Sequence, residues 1–241
     1  MRWPGGPMLG PQTGSPSCLP GLCTAGQGQI DRIQRTCLAS FQLIASDKLG
    51  FQLIQRSTLR EARTMLHAPP FVLRPYRHSD AVEVSAAVRE STETIGRWMT
   101  WAKSDFTAYD AVCWFEQCSQ SRAAGTAHQF GIFTKDDEFI GGCGLNQLST
   151  INNLCNLGYW TRQSRQRTGA ATAAVLALRE LALHRLKLSR IEIVVAEGNI
   201  ASIGVARKAG ATHECIAKNR LLLHGKPVAA HVFSFIRATD A

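Results

Sequence analysis

Residues 71–241 predict an α/β domain in which one mixed, twisted sheet is flanked by helices. Three observations carry that prediction. Four short segments between residues 71 and 161 have the apolar runs and alternation of strands. An alanine-rich stretch over 169–186 spaces its apolar residues by three and four, as one face of a helix requires. A further strand, a short helix and a closing hairpin then follow in that order.

Phe71–Arg74 reads as a short strand, and Ser79-Asp80 as the cap of a helix running to about Arg89, since both side chains can accept from first-turn amides. Thr107 to about Arg122 is a second helix with Ala111, Trp114, Phe115 and Cys118 on one face. Gln129–Thr134, a Lys135-Asp136-Asp137-Glu138 turn, Phe139–Leu148 and Leu154–Thr161 together suggest an antiparallel meander. In helix 169–186 the apolar stripe is Ala171, Ala174, Val175, Leu178, Leu181, Ala182 and Leu186. Ile191–Ala196 is a buried strand, Ile200–Ala209 a short helix, and Thr212–Leu223 with Val228–Ile236 a hairpin. No internal repeat is present.

The amino-terminal part has a different texture. The first 28 residues hold five of the nine Pro and seven of the 20 Gly with Arg2 as the sole charge, so no periodic apolar face can form and disorder is expected. That stretch has no basic start followed by an apolar core, so it does not read as a secretory signal. Residues 29–64 are compatible with one weak amphipathic helix, with a targeting role as an alternative. We read residues 1–64 as an extension or a misassigned start, and 65–241 as the domain, with Met65 close to the start of the folded unit.

At 241 residues and 26.3 kDa, with 45% apolar and 19% charged residues, the chain suffices for one well-buried domain and a single site. No apolar run approaches a membrane span; the longest candidate is Ala170 to Leu178. The eight Cys never occur as Cys-x-x-Cys, and Cys113 with Cys118 is neither a zinc nor a redox spacing, which implies buried thiols in a reducing, cytoplasmic setting. His128, His184, His213, His224 and His231 show no metal spacing, so no metal is expected, and no Gly-x-Ser-x-Gly marks a serine hydrolase. The net charge of +9 is spread over the whole chain without a dense basic run, which suits either a solvated surface or attraction of a polyanionic ligand. The aromatics do not interleave with a basic strip, so direct nucleic-acid binding is not expected.

The most informative segment is Gln166-Arg167-Thr168-Gly169-Ala170-Ala171-Thr172, between a strand and the alanine-rich helix. Small residues let the backbone approach a ligand, and a helix start offers unpaired N–H groups at the positive end of its dipole. Such a corner binds phosphate oxygens, with Arg162, Arg165 and Arg167 adding attraction. An ordinary loop and helix start explains the segment equally well on its own. It lacks the Gly-Lys-Ser/Thr of a P-loop, and Gly142-x-Gly144 does not lead into a helix.

Gln166-x-x-Gly169-x-Ala171 resembles the Gln/Arg-x-x-Gly-x-Gly/Ala motif of the GNAT superfamily of acetyl-CoA-dependent N-acetyltransferases. Asn156-Leu157-Gly158-Tyr159-Trp160 before it and Asn199-x-Ala201-Ser202-x-x-Val205-Ala206-Arg207-Lys208-x-Gly210-Ala211 after it resemble the subgroup that acetylates N-terminal residues of ribosomal proteins. So does Glu90–Trp101, with Ile95-Gly96-Arg97-Trp98-Met99-x-Trp101. The resemblance covers about residues 70–238.

That resemblance implies a GNAT fold, whose sheet carries a central splayed parallel strand pair with acetyl-CoA between the strands. Backbone groups of Tyr159, Trp160 and Thr161 are then expected to pair with the pantetheine arm, and Gln166 with the amides of Arg167, Thr168, Gly169, Ala170, Ala171 and Thr172 to hold the diphosphate. Asn199 is expected to bond the pantetheine, or else to be a plain helix cap. Ser202 matches the position from which relatives protonate the departing thiolate, and Arg207 and Lys208 can steer the adenosine phosphates. Arg97, Trp98 and Trp101 are expected at the acceptor mouth, although both Trp also suit a core. The amine attacks the thioester directly, so alignment of two reactants is the main contribution of the protein.

A base is harder to find. Relatives can place a Glu near the start of the final hairpin, where this chain has Leu221, and often an acid where it has Ala230. Glu93 and Glu197 are the remaining candidates, each equally suited to the surface. An α-amine with pKa near 7.8 is roughly 10–15% neutral at pH 7, against about 0.04% for a Lys amine. Weak base machinery therefore favours the N-terminal residue of a protein as acceptor, with a small amine, or an inactive CoA-binding module, as alternatives. A monomer or a homodimer fits equally.

Overall fold

The strand expected at Phe71–Arg74 forms, but another strand precedes it. The computed structural model describes residues 65–237, so the disorder and the amphipathic helix read into residues 1–64 lie outside the described residues. Strand β1 (Leu66–Ala68) pairs antiparallel with β2 (Phe71–Arg74), Leu66 opposite Leu73. Three residues ahead of Pro69-Pro70 are too few for any periodicity to register, which is why the sequence did not reveal β1.

Helix α1 (Ala81–Glu90) follows a single 3-10 turn at His78–Asp80. Asp80 stands at its start, yet its carboxylate does not cap it, and the sequence reading is corrected on this point. Both carboxylate oxygens accept from the buried guanidinium of Arg74 at 2.8 and 3.0 Å, and one also accepts from the Arg77 amide at 2.8 Å. A buried cation leaves a larger penalty when unpaired than a helix-end amide does, so Arg74 claims the acid. After α2 (Thr92–Ile95), helix α3 (Ala108–Ala123) has the cap that α1 lacks. Thr107 Oγ1 accepts from the Asp110 amide at 3.1 Å, and the Asp110 carboxylate accepts from the Thr107 amide at 2.8 Å. Ala111, Phe115 and Cys118 are buried, with Trp114 partly so.

Strands β3 (His128–Phe133), β4 (Phe139–Ser149) and β5 (Leu154–Thr161) form the expected antiparallel meander. Helix α4 (Ala170–Glu180) starts one residue later than predicted, and Leu181–Arg185 continues it as a π-helical turn. Then come β6 (Arg190–Ala196), α5 (Ile200–Lys208), β7 (Thr212–Leu223) and β8 (Lys226–Ile236). The eight strands form one sheet in the order β1-β2-β3-β4-β5-β6-β8-β7.

Alternation along the strands sends neighbouring side chains to opposite faces. One face, with Leu73, Ile132, Leu157, Ile193 and Phe233, packs against Ala174 and Leu178 of α4. The other, with Phe133, Phe139 and Trp160, packs against Val84 and Val88 of α1 and Phe115 of α3. Each such large apolar side chain contributes about 1.5–3 kcal/mol on full burial. Tyr159 and Trp160 therefore anchor β5 from both faces at once.

Strands β5 and β6 are the one parallel pair among the described residues, as their joining through α4 requires. They pair only at Leu154–Arg190, Cys155–Ile191 and Asn156–Glu192. Past those registers the two strands run on to Thr161 and Ala196 without pairing.

Candidate active site

The parting of β5 from β6 opens a cleft of about 750 Å³, within the range of small-molecule sites. Tyr159, Trp160 and Thr161 line it from β5, and Val194, Val195 and Ala196 from β6. Gln166, Arg167, Thr168, Gly169, Ala170, Ala171 and Thr172 line it as well, together with Asn199 and Ser202. The structure thus brings nearly the whole expected cofactor set to one cavity.

The turn into α4 depends on Gly169, whose φ of 87° and ψ of −3° are left-handed. A Cβ there would meet nothing within 4 Å, so the conformation itself, not crowding by the protein, calls for glycine. Among the described residues no side chain caps α4, and its first amides, Ala170 to Thr172, have no acceptor one turn earlier. The Ala173 amide is the first to be satisfied, donating to Gly169 O at 3.0 Å. Thr168 Oγ1, which is free to cap by residue type, instead donates to Arg165 O at 2.9 Å.

Two of the three arginines expected to attract anions are committed elsewhere. Arg162 donates to Glu90 at 2.7 Å, and Arg165 forms a two-point pair with Glu138 at 2.8 and 2.9 Å. The Ser164 amide also donates to Glu90 at 2.7 Å. The Arg162 hydrogen bond first, and the Ser164 bonds second, pull the Glu90 carboxyl down to about 2. These acids hold the incoming loop against α1 and the β3–β4 turn, so Arg162 and Arg165 act as struts. Of the three, Arg167 lines the cleft with no ion pair among the described residues.

Asn199 is the cap of α5: its Oδ1 accepts from the Ser202 amide at 3.2 Å. That bond fixes the side-chain amide, so Nδ2 remains the group with which Asn199 can meet a ligand. Ser202 lies opposite Tyr159, whose phenol oxygen is 2.9 Å from Ser202 Oγ and 3.0 Å from Ser202 O. Burial pushes the Tyr159 phenol up to about 12, against a smaller opposing effect of the Ser202 hydrogen bond.

Other expected residues fall outside the cleft. Trp98 lines it, and its ring tip is 3.9 Å from where a Gly198 Cβ would stand. Trp101, by contrast, packs against Trp160 and Phe106 with centroids 5.8 and 6.2 Å away, so it belongs to the core and not to a mouth. Arg97 is exposed, with its guanidinium 5.4 Å from the Trp98 ring, and does not line the cleft. Glu93 and Glu197 are exposed and also absent from the lining. Arg207 is exposed and does not line the cleft, whereas Lys208, one residue on, does. Ile95 and Met99 line it beside Trp98, from the Glu90–Trp101 segment that the resemblance sets on the acceptor side, and Val205 lines it from the Asn199 motif; Thr94, Ile200 and Gly204 are lining that the sequence did not reveal. Nothing in 94–99 has a periodicity that separates a cleft wall from a core segment, whereas Val194–Ala196 belong to the second strand of the splayed pair that the resemblance implies.

Leu221 lines the cleft from β7, at the place where the resemblance led us to look for an acid. Among the described residues the charged lining is Arg165, Arg167 and Lys208, with no carboxylate. Across the hairpin tip, His224 Nε2 donates to Gly96 O at 3.0 Å, since a carbonyl can only accept. This bond ties β7–β8 to the segment that carries Trp98. Among the described residues no group of three or more His, Cys, Asp or Glu can hold a metal, and no helix is long and apolar enough to cross a membrane.

Comparison with known proteins agrees with this geometry. The family model described as an acetyltransferase (GNAT) domain matches residues 71–212. Over 100 residues the chain is 36% identical to the probable N-acetyltransferase YjcK of Bacillus subtilis, a match that spans 41% of this chain and 55% of that protein. The ribosomal-protein-S5-alanine acetyltransferase of Vibrio fischeri superposes with a TM-score of 0.65 at 20% identity, covering 72% of this chain and 96% of its own. Mycobacterium smegmatis RimJ, solved with a CoA-disulfide, gives 0.65 at 23% identity over 71% and 85%. With a sheet whose parallel pair parts over a glycine-led helix, and a family match over more than half its length, the chain belongs to the GNAT acetyltransferase family.

Proposed function

We propose that the cleft binds acetyl-CoA and that the protein transfers the acetyl group to a primary amine, the N-terminal residue of a protein. The observation that carries this reading is the divergence of β5 and β6 beyond Asn156 and Glu192, directly beside the uncapped start of α4. The unpaired strand edges offer backbone partners to the amide-bearing arm of coenzyme A, and the α4 amides with Arg167 offer donors to its diphosphate. Acetyl-CoA supplies an activated acyl group as a thioester. Ser202, half-buried and hydrogen-bonded to Tyr159 on the helix that faces the parted strands, supplies the proton to the departing sulfur.

The lining also bears on the acceptor. With no carboxylate among the described residues that line the cleft, the amine loses its proton to water, and an α-amine starts with a several-hundred-fold larger neutral fraction than a Lys amine. Trp98, Met99, Ile95 and Leu221 give that side an apolar character suited to the first side chain of a peptide. The ribosomal-protein acetyltransferases that share the fold support ribosomal proteins as the acceptor class.

The test is a thiol-release assay on the full chain with acetyl-CoA and a panel of N-terminal peptides, small amines and Lys peptides, with intact-mass detection of products. Release with N-terminal peptides and not with Lys peptides is expected. Acetylation of small amines alone would reassign the acceptor, and tight acetyl-CoA binding with no release for any amine would make the protein a CoA-binding module.

A further inference from the structure

We propose that Tyr159 positions the Ser202 hydroxyl for proton donation, its phenol moving one hydrogen bond between two acceptors of the same residue. This inference rests on the reading of Ser202 as the proton donor. Tyr159 projects from β5 to the α4 and α5 side of the sheet, opposite to Trp160. Its oxygen stands 3.0 Å from Ser202 O and 2.9 Å from Ser202 Oγ. A phenol has one proton, and the two acceptors are almost equidistant.

While the phenol donates to the carbonyl, the Ser202 Oγ–H can donate back to the phenol oxygen, and its proton points away from a ligand. Once the phenol donates to Oγ instead, the Ser202 proton is released to point into the cleft. It is then directed at the sulfur. As the C–S bond breaks, the Oγ–H bond breaks and an S–H bond forms, and the phenol hydrogen bond stabilises the charge left on Oγ. The amine loses its own proton to water, and water returns one to Oγ, so the account of protons closes without the phenol ever ionising. Tyr159 keeps its proton at any working pH because burial holds it up near 12. At 8% exposure it is sheltered from water that would otherwise compete for the same acceptors.

The test compares Tyr159→Phe, Ser202→Ala and the double variant, measuring kcat, the KM for acetyl-CoA and CoA affinity by calorimetry. Hydrogen bonds to charged groups are worth enough that Tyr159→Phe is expected to lower kcat about 10- to 100-fold. CoA affinity and the acetyl-CoA KM should stay within about twofold, since the lost bond matters only while charge develops on Ser202. In the Ser202→Ala background the same change should cost less than about twofold, because two residues acting as a unit are not additive. Replacement of Tyr159 by 3-fluorotyrosine, which retains the hydroxyl and the shape, should keep at least about half of kcat. Wild-type kcat in Tyr159→Phe, or an equal loss in both backgrounds, would overturn the proposal and leave the role of Ser202 standing. Wild-type kcat in Ser202→Ala would overturn the reading beneath it.

Discussion

The two sides of the cleft are built by different means. The loop 165–172 and the parted strands are backbone devices: a left-handed Gly169, uncapped amides and three paired registers followed by divergence. The side carrying Thr94, Ile95, Trp98, Met99 and Leu221 is assembled from an irregular segment and a distant hairpin, joined by His224 to Gly96. Backbone devices recur wherever a chain must hold a diphosphate, so they leave a local signature. A wall of side chains gathered from far apart carries specificity and leaves none.

The sharpest way to break this contrast is Gly169→Glu. The change places a side chain and a negative charge where the diphosphate is held, and forces a left-handed backbone on a residue that resists it. We expect acetyl-CoA affinity to fall at least about 100-fold by calorimetry, a loss of roughly 2.7 kcal/mol. Trp98→Ala should do the reverse, raising the acceptor KM about 10-fold and leaving acetyl-CoA affinity unchanged. If both variants moved both affinities together, the division into two sides would be wrong.

Leu221→Glu sharpens the comparison in the other direction. A carboxylate in a cleft whose described lining has none gives the amine a proton acceptor, and turnover of Lys-bearing or small-amine acceptors should rise about 10-fold at pH 7. Unchanged selectivity would mean that Leu221 does not face the reacting amine. His224→Ala removes one neutral hydrogen bond between the hairpin tip and the Trp98 segment, and should raise the acceptor KM by about threefold, with little effect on acetyl-CoA.

The smallest effect lies in the struts behind the cofactor side. Glu90 is held near 2 by Arg162 and Ser164, and Glu214 near 2 by Arg190 and Ser234. Both carboxyls bind a proton more readily in the unfolded chain, so their contribution to stability is present above the ordinary carboxylate range and is lost as pH falls from about 4.5 toward 2. Melting temperature followed over that window should fall less steeply in Glu90→Gln than in the native protein, with the Glu214 share retained. An identical slope would show that the Glu90–Arg162 pair survives unfolding or contributes nothing.

Apart from the four-residue α2, the elements after residue 71 are legible because their apolar periods run long enough to register, and so is the loop at Gly169. Three misreadings share a cause. Asp80 was taken for a cap because that is its local role, but a buried Arg74 sixty residues from its second partner, Asp137, outbids the helix end. Trp101 was assigned to the mouth beside Trp98, yet the short helical turn of 92–95 and the bend after it send the two indoles to different places. Arg207 and Lys208 are adjacent on α5, and only the orientation of the helix decides which one lines the cleft. Arg74 lies only six residues from Asp80, but it is held over the Phe133 ring and bonded to Asp137, so in each case the answer depends on packing by parts of the chain that are distant in sequence. The Tyr159–Ser202 contact spans 43 positions and belongs to the same class.

A crystal structure of the protein with acetyl-CoA tests the central claim most directly. It should show diphosphate oxygens within about 3.2 Å of the amide nitrogens over 167–172, and the thioester between Tyr159–Thr161 and Val194–Ala196, with Ser202 Oγ turned to the sulfur. Acetyl-CoA seated elsewhere, or lying in this cleft with its diphosphate away from those amides, would contradict the account.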